Sequence, residues 1–136
     1  MTLSGGTTYI GSNGIYKYSG VNFVSSGLTG RSVLSIYVSG SNVYAGTSDG
    51  VWLSSNGGNN WTRSSLVQTV NAVTGSGSTI YAGTTNYGVY RSTDNGTSWT
   101  QMIFYNNVIK TLYSDGSTIF AGTSNRGILY SSNNGN

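Results

Sequence analysis

Apolar residues recur along the chain in short runs, and each run is bounded by glycine, asparagine or serine. The runs at residues 33–38, 70–73 and 108–113 are rich in valine, isoleucine, leucine and tyrosine, which are residues that favour strands. No window carries apolar residues at the 3.6-residue spacing of an amphipathic helix. The pattern therefore predicts an all-β protein whose strands are joined by tight turns.

A four-residue motif marks an internal repeat. Tyr-Ala-Gly-Thr at residues 44–47 returns at 81–84, as Phe-Ala-Gly-Thr at 120–123 and as the weaker Tyr-Ile-Gly-Ser at 9–12. The steps between copies are 35, 37 and 39 residues, and each copy is followed by a glycine and an apolar pair. Four short strands in about 40 residues are typical of one blade of a β-propeller. A β-solenoid is the competing architecture.

The third repeat shows the predicted strands most clearly. They are expected near residues 71–74, 79–84, 88–92 and 98–102. The glycine, asparagine and serine residues between them suit the turns of antiparallel neighbours. We therefore predict four antiparallel strands in each repeat.

The repeats predict one domain of about four blades. Their approximate bounds are 1–30, 31–67, 68–106 and 107–136, the last without its outer strand. A blade without a neighbour exposes strand edges and apolar faces. We therefore expect either the rest of a larger propeller or a homo-oligomer, with a dimer of about eight blades favoured.

Composition limits the chemistry that the chain can perform. The sequence has no cysteine, histidine or glutamate, and its acidic residues are Asp49, Asp94 and Asp115. Neither a thiolate metal site nor a histidine general base is available, so no metal and no cofactor are expected. Asp94 and Asp115 lie in turn sequences, which leaves no pair of facing carboxylates for glycoside hydrolysis. The chain is predicted not to be an enzyme.

The charges are few and scattered. Six basic residues stand singly along the chain and give a net charge of +3. A nucleic-acid surface requires clustered basic residues, and a membrane span requires about 20 consecutive apolar residues. We expect neither nucleic acid nor a membrane as a partner. An extracellular location is favoured, although no signal-peptide pattern begins the sequence.

One motif resembles a known repeat family. Residues 92–99 fit the pattern Ser-x-Asp-x-Gly-x-x-Trp, with Ser92, Asp94, Gly96 and Trp99 at the defining positions. This resembles the Asp-box, or bacterial-neuraminidase repeat, of sialidase, sortilin, xyloglucanase and photosystem II assembly-factor propellers. The corresponding residues of the second repeat are Ser54, Asn56, Gly58 and Trp61. We call residues 54–61 and 92–99 the second and third box turns.

The box turns are predicted to be structural. A carboxylate or amide oxygen in such a turn accepts backbone N–H bonds, glycine supplies a positive φ, and tryptophan buries a large ring. In the families that the motif resembles, it lies away from the ligand site. The resemblance to sialidases also implies a Tyr–Glu pair, which a chain without glutamate does not supply.

Variable loops on one face are the candidate recognition surface. Asn13, Asp49, Tyr87 and Arg126 stand just before the glycine that opens the third strand of each repeat, and Tyr105 and Asn106 lie in a connection between repeats. Tyrosine rings can stack on a sugar, and the polar groups can hydrogen-bond its hydroxyls. We predict lectin-like glycan binding. The alternatives are a protein-interaction or assembly scaffold, or an engineered or natural piece of a larger propeller.

Overall fold

The computed structural model describes residues 1–4, 6–102 and 104–134, and these residues are built from antiparallel strands. The strands are β1 (Thr2–Ser4), β2 (Thr7–Tyr18), β3 (Phe23–Ser39), β4 (Asn42–Thr47), β5 (Gly50–Ser54), β6 (Thr62–Arg63), β7 (Val70–Ser76), β8 (Thr79–Thr84), β9 (Val89–Ser92), β10 (Thr100–Gln101), β11 (Ile109–Ser114), β12 (Ile119–Thr123) and β13 (Ile128–Ser131). The described residues contain no helix, so the predicted all-β class is confirmed.

The strands pair with their neighbours in chain order. Within the described residues, β1 to β6 form one sheet, β7 to β10 a second and β11 to β13 a third. Strand β3 is long because it serves two repeats: its first part pairs with β2, and its second part pairs with β4. The first two repeats are therefore joined without a break, whereas the later repeats form separate sheets.

The first repeat keeps the shape of the others although β2 is one continuous strand. Gly14 has a φ of +130°, and Gly50 at the corresponding turn has +129°. If Gly14 were replaced by a residue with a side chain, its Cβ would lie 3.3 Å from the Cα of Thr29. At Gly50, a Cβ would lie 3.0 Å from the Cα of Val67. Both glycines are needed because the connection to the next repeat crosses directly over them.

Three of the four strands predicted for the third repeat agree with the structure. Strands β7, β8 and β9 overlap the predicted ranges, whereas the outer strand β10 is limited to Thr100–Gln101. The Ser98 N–H donates to the Asp94 carboxylate at 2.9 Å, so this residue cannot also donate to the sheet. The box turn therefore shortens the strand that follows it. Position 103, one residue past the end of the predicted outer strand (98–102), lies outside the described residues.

Neighbouring repeats pack through the glycine of the repeated tetrapeptide. A Cβ on Gly46 would lie 2.8 Å from Cγ1 of Val70 and 3.0 Å from Cγ2 of Val73. In the preceding repeat, a Cβ on Gly11 would lie 2.6 Å from Cγ1 of Val33. The inner strand of each following repeat thus fits against a strand that has no side chain at this point. Between the sheets lie apolar cores, one of which contains Tyr44, Val51, Leu66, Val70, Val73, Ile80 and Ala82.

The up-and-down strand order separates two ends of the molecule. The β4–β5 and β8–β9 turns share one end with the connections between repeats, and we call it the loop end. The box turns lie at the other end, where the Gly57 N–H donates to the Ser41 carbonyl at 2.9 Å and the Asn95 N–H to the Ser78 carbonyl at 3.1 Å. We call this the box end. The predicted recognition loops and the box turns are therefore on opposite sides.

Candidate functional site

Two half-exposed tyrosines lie on adjoining loops at the loop end of the third repeat. Tyr87 is 50% exposed and Tyr105 is 57% exposed. The Gly88 N–H donates to the Asn107 carbonyl at 3.2 Å, and a Cβ on Gly88 would lie 3.3 Å from the Tyr105 nitrogen. The β8–β9 turn and the connection at residues 104–107 are therefore in direct contact, and they hold both tyrosines in one region.

A shallow pocket lined by amide, hydroxyl and tyrosine side chains includes Tyr87. Its volume is about 130 Å³, and its lining residues are Gln68, Thr69, Thr85, Asn86 and Tyr87. The Thr85 N–H donates to the Thr69 carbonyl at 3.1 Å, which joins the second repeat's connection to the third repeat's turn. Amide and hydroxyl groups next to an exposed aromatic ring can hydrogen-bond a small polar ligand while the ring packs against it.

The connection that carries Tyr105 has a defined shape. Phe104 and Asn106 have positive φ angles of 83° and 59°, which non-glycine residues seldom adopt. The buried Asn107 side chain donates to the carbonyls of Phe104 and Tyr105, both at 3.0 Å. This amide fixes the connection from inside and presents Tyr105 and Asn106 to solvent.

Backbone contacts also fix the turn that carries Tyr87. The Tyr87 N–H donates to the Thr84 hydroxyl at 3.0 Å, and the Gln101 side chain donates to the Tyr87 carbonyl at 2.7 Å. Thr84 is the last residue of the repeated tetrapeptide and is fully buried. The Tyr87 backbone is therefore held by hydrogen bonds at both its N–H and its carbonyl, while its ring is half-exposed to solvent.

Asp49 has different partners from those predicted. Its carboxylate accepts hydrogen bonds from the Thr47 hydroxyl at 2.7 Å and the Trp52 indole at 3.2 Å, and it forms an ion pair with Arg31. The Arg31 guanidinium carbon lies 4.2 Å from the centre of a Trp52 ring. Burial would raise the pKa of Asp49, but these hydrogen bonds and the charges of Arg31 and Arg63 lower it below its ordinary value. The carboxylate is engaged in holding Arg31 and Trp52.

The structure brings only part of the predicted set together. Tyr87, Tyr105 and Asn106 share the region described above. Asn13 pairs with Ser32 in the first repeat, and the Arg126 N–H donates to the Thr123 hydroxyl at 2.9 Å in the fourth. Asn13 therefore lies within the continuous strand β2 and not in a loop as predicted, whereas Arg126 lies in the turn between β12 and β13. Sequence reasoning did not single out Asn86 as a member of the region, although it is a polar residue directly beside the predicted Tyr87.

The box turns at the opposite end are closed by their own side chains. The Asp94 carboxylate accepts bonds from the Ser98 hydroxyl at 2.6 Å, the Ser92 hydroxyl at 2.7 Å and the Thr97 N–H at 3.1 Å. These hydrogen bonds lower the pKa of Asp94 to about 2, and the bond from the Ser98 hydroxyl makes the largest contribution. The Trp99 indole donates to the Gly96 carbonyl at 3.0 Å. Asp94 therefore closes a turn and faces no pocket of the loop end.

The third acid is also part of a turn. Asp115 accepts hydrogen bonds from the N–H groups of Thr118 at 2.7 Å and Ser117 at 2.8 Å, and these lower its pKa. Among the described residues, no three metal-ligating acid, histidine or cysteine side chains come together. Over the same residues, no helix is long and apolar enough to cross a membrane.

The fold is similar to many solved structures. No protein-family model matches the chain, and a comparison with curated proteins gives no match. In the comparison with solved structures, 87 chains match. An ancestral GH74 enzyme has a TM-score of 0.79 and 22% identity over 95% of this chain and 21% of its own. The GH74 xyloglucanase of Xanthomonas campestris has a TM-score of 0.78 and 15% identity over 96% of this chain and 28% of its own.

A third similar structure belongs to a different kind of protein. YCF48 bound to D1 peptide has a TM-score of 0.67 and 18% identity, over 87% of this chain and 45% of its own. An extracellular domain of a one-component system from B. thetaiotaomicron also matches. The predicted β-propeller fold is thereby confirmed, and the chain spans about a fifth of the length of the ancestral GH74 enzyme.

The prediction that the chain is not an enzyme is contradicted by these neighbours. Two of the similar structures described above are GH74 enzymes. The prediction relied on the missing glutamates and the missing carboxylate pair. The residues of a propeller site come from several repeats, so a segment of a few repeats need not contain the whole set. The absence of paired acids from this segment therefore does not exclude an enzyme.

Proposed function

We propose that the loop end binds carbohydrate through Tyr87 and Tyr105. The observation that supports this most is the pairing of two half-exposed tyrosines on adjoining, hydrogen-bonded loops beside a pocket of amides and hydroxyls. The low charge of this region suits a neutral ligand. The likeness to a GH74 xyloglucanase supports a sugar ligand at the level of the fold.

The two tyrosines supply the apolar contact and the pocket supplies the polar ones. A sugar ring has apolar C–H faces and hydroxyl edges, so it matches a surface with both kinds of group. In this arrangement Tyr87 packs against one face of the sugar, while Gln68, Thr69 and Asn86 exchange hydrogen bonds with its hydroxyls. Tyr105 and Asn106 extend the contact to a neighbouring sugar unit.

Glycan-array binding of the Tyr87→Ala and Tyr105→Ala variants tests this function. We expect each substitution to weaken binding by about 3- to 10-fold, since an aromatic contact contributes roughly 0.5–1.5 kcal/mol. Tyr87→Phe should retain most of the affinity because it keeps the ring. Tyr18→Ala is the matched control, since Tyr18 is a half-exposed tyrosine at the box end.

Two results would overturn the proposal. One is unchanged binding in both alanine variants, and the other is no glycan bound by the wild-type chain. A peptide-binding role is the second candidate, and the likeness to YCF48 bound to D1 peptide favours it. The same four variants, tested against a peptide library, distinguish the two ligand classes.

A further inference from the structure

Charged side chains gather around one tryptophan at the loop end of the second repeat. The Asp49 carboxylate accepts the Trp52 indole N–H at 3.2 Å and forms an ion pair with Arg31. The Arg31 guanidinium carbon lies 4.2 Å from the centre of a Trp52 ring, and Nε of Arg63 donates to the Asp49 carbonyl at 3.1 Å. We call Arg31, Asp49, Trp52 and Arg63 the charged cluster. Two guanidinium groups and one carboxylate leave it with a surplus of one positive charge.

The surplus charge is open to a ligand. Arg31 donates to Asp49 through Nη1, and Arg63 donates to Asp49 through Nε and Nη2. Among the described residues, the remaining N–H groups of both guanidiniums have no hydrogen-bond partner. The other two aspartates, Asp94 and Asp115, accept hydrogen bonds within their own turns. A guanidinium with a free edge can donate two parallel N–H bonds to a carboxylate.

The third repeat has a neutral counterpart for each member of the charged cluster. Arg31 and Gln68 each precede the residue whose carbonyl accepts an N–H from the neighbouring turn. Gln101 donates to the Tyr87 carbonyl at 2.7 Å, which is the bond that Arg63 makes in the charged cluster. The counterparts of Arg31, Asp49, Trp52 and Arg63 are thus Gln68, Tyr87, Tyr90 and Gln101. Gln68 and Tyr87 line the pocket described above, so the charged cluster is the equivalent site of the preceding repeat.

The charged cluster adjoins the pocket that includes Tyr87. Thr69 lines this pocket, and its hydroxyl donates to the Ser48 carbonyl at 2.9 Å. Ser48 directly precedes Asp49 in the chain. The Thr69 carbonyl accepts the Thr85 N–H at 3.1 Å, so Thr69 links the turns of the second and third repeats. A ligand of more than one sugar unit can therefore contact both sites.

We infer that the charged cluster binds the carboxylate of an acidic sugar unit, next to the unit that packs against Tyr87. The inference rests on the proposed function and gives its ligand a class, a glycan that contains uronic acid. The free N–H groups of Arg31 and Arg63 donate to the ligand carboxylate. Asp49 and Trp52 hold the Arg31 guanidinium in place, one by its charge and the other by its ring. A neutral sugar gains less from the surplus positive charge than an anionic one.

Titration with sodium glucuronate, followed by nuclear magnetic resonance, tests the inference at the cluster itself. Trp52 is one of three tryptophans, so its indole N–H signal can be assigned. This signal should shift with glucuronate but not with glucose at the same millimolar concentration. Acetate should shift it less than glucuronate, because acetate has a carboxylate without sugar hydroxyls. Glucuronate binding should weaken in about 0.5 M salt, which screens exposed charges.

The third repeat supplies the substitutions that make the test specific. Arg31→Gln/Arg63→Gln introduces the residue type found at the equivalent positions, so the variant should keep the wild-type circular dichroism and melting behaviour. It should weaken glucuronate binding by about 10-fold, because the charged donors are lost. Lys110→Gln, which removes an exposed charge outside the cluster, is the control and should bind as the wild type does.

Three results would overturn the inference. They are an unshifted Trp52 signal, an equal shift with acetate, and unchanged glucuronate binding in the folded double variant. The Tyr87→Ala and Tyr105→Ala variants keep both arginines, so they should retain the glucuronate response at Trp52. Failure of this inference is therefore distinguishable from failure of the proposed function, which the tyrosine variants test.

Discussion

The second and third box turns have the same frame but differ in charge. In both, the serine hydroxyl accepts the glycine N–H at 2.8 Å. In both, the side-chain oxygen two residues after the serine accepts a backbone N–H at 2.9 Å. That oxygen belongs to the neutral Asn56 in one turn and to Asp94 in the other. The comparison shows that the turn requires an acceptor oxygen and a glycine rather than a negative charge.

The two turns also differ in how they contact the rest of the molecule. The Trp61 indole donates to the Ser26 carbonyl of the first repeat at 2.6 Å as well as to the Gly58 carbonyl of its own turn at 3.1 Å. The Trp99 indole donates to the Gly96 carbonyl of its own turn. The tryptophan of the second box turn therefore links two repeats through its indole N–H. The indole N–H of the third box turn donates within that turn.

The largest expected difference is between Trp61→Ala and Trp99→Ala. Both rings are partly buried and pack against a core. We expect Trp99→Ala to lower the free energy of unfolding by about 2 kcal/mol and Trp61→Ala by about 3 kcal/mol, because the latter also leaves the Ser26 carbonyl without its donor. Urea unfolding of the two variants measures the difference. Equal losses would show that the bond to Ser26 contributes nothing.

Removal of the serine hydroxyls should affect the two turns equally. Ser54 and Ser92 are each 1% exposed, and each hydroxyl accepts two backbone N–H groups and donates to the Asn or Asp oxygen. Ser54→Ala and Ser92→Ala should each cost about 1–2 kcal/mol of unfolding free energy, since a buried N–H loses its acceptor. Exposed Ser124→Ala is the control and should change stability by less than about 0.5 kcal/mol. A clear difference between the two turns would contradict a shared frame.

The smallest effect concerns the charge and depends on pH. The pKa of Asp94 is lowered to about 2 from an ordinary value of 3.8. Its stabilising contribution is therefore present above pH 3.8 and is lost as the pH falls through 2. Asp94→Asn should flatten the stability profile in this window, and Asn56→Asp should steepen it. Thermal melts between pH 2 and 5 measure both changes, and parallel profiles for wild type and Asp94→Asn would contradict the assignment.

Local sequence signals predicted most of the fold. The strand predicted at residues 79–84, which contains the tetrapeptide 81–84, became β8 with its predicted bounds, because its alternation and flanking turns are local properties. The long strands β2 and β3 were not predicted, since pairing with two different partners depends on neighbours that are distant in sequence. The length of β10 was overestimated because the box turn uses the Ser98 N–H.

The candidate site was predicted less completely. Tyr87 and Tyr105 were identified as exposed loop residues, and the structure places their loops in contact. Asp49 was interpreted as a free hydrogen-bonding group, but Arg31 and Trp52 occupy its carboxylate. Arg31 and Asp49 are 18 residues apart in the sequence, so no local sequence pattern indicates that they form an ion pair. The expectation that the chain is not an enzyme failed for a related reason, since composition describes only the segment at hand.

The sequence alone determined the repeat, the all-β class and the turns, because strand alternation and turn chemistry act over a few residues. Tertiary structure decided which loops meet, which acids are engaged and which aromatic residues are covered. Tyr81 and Phe120 occupy the same place in their repeats, yet one is buried and the other is more than a third exposed. The physical reason is that burial depends on the neighbouring repeat that packs against a residue, and this neighbour is not part of the local pattern.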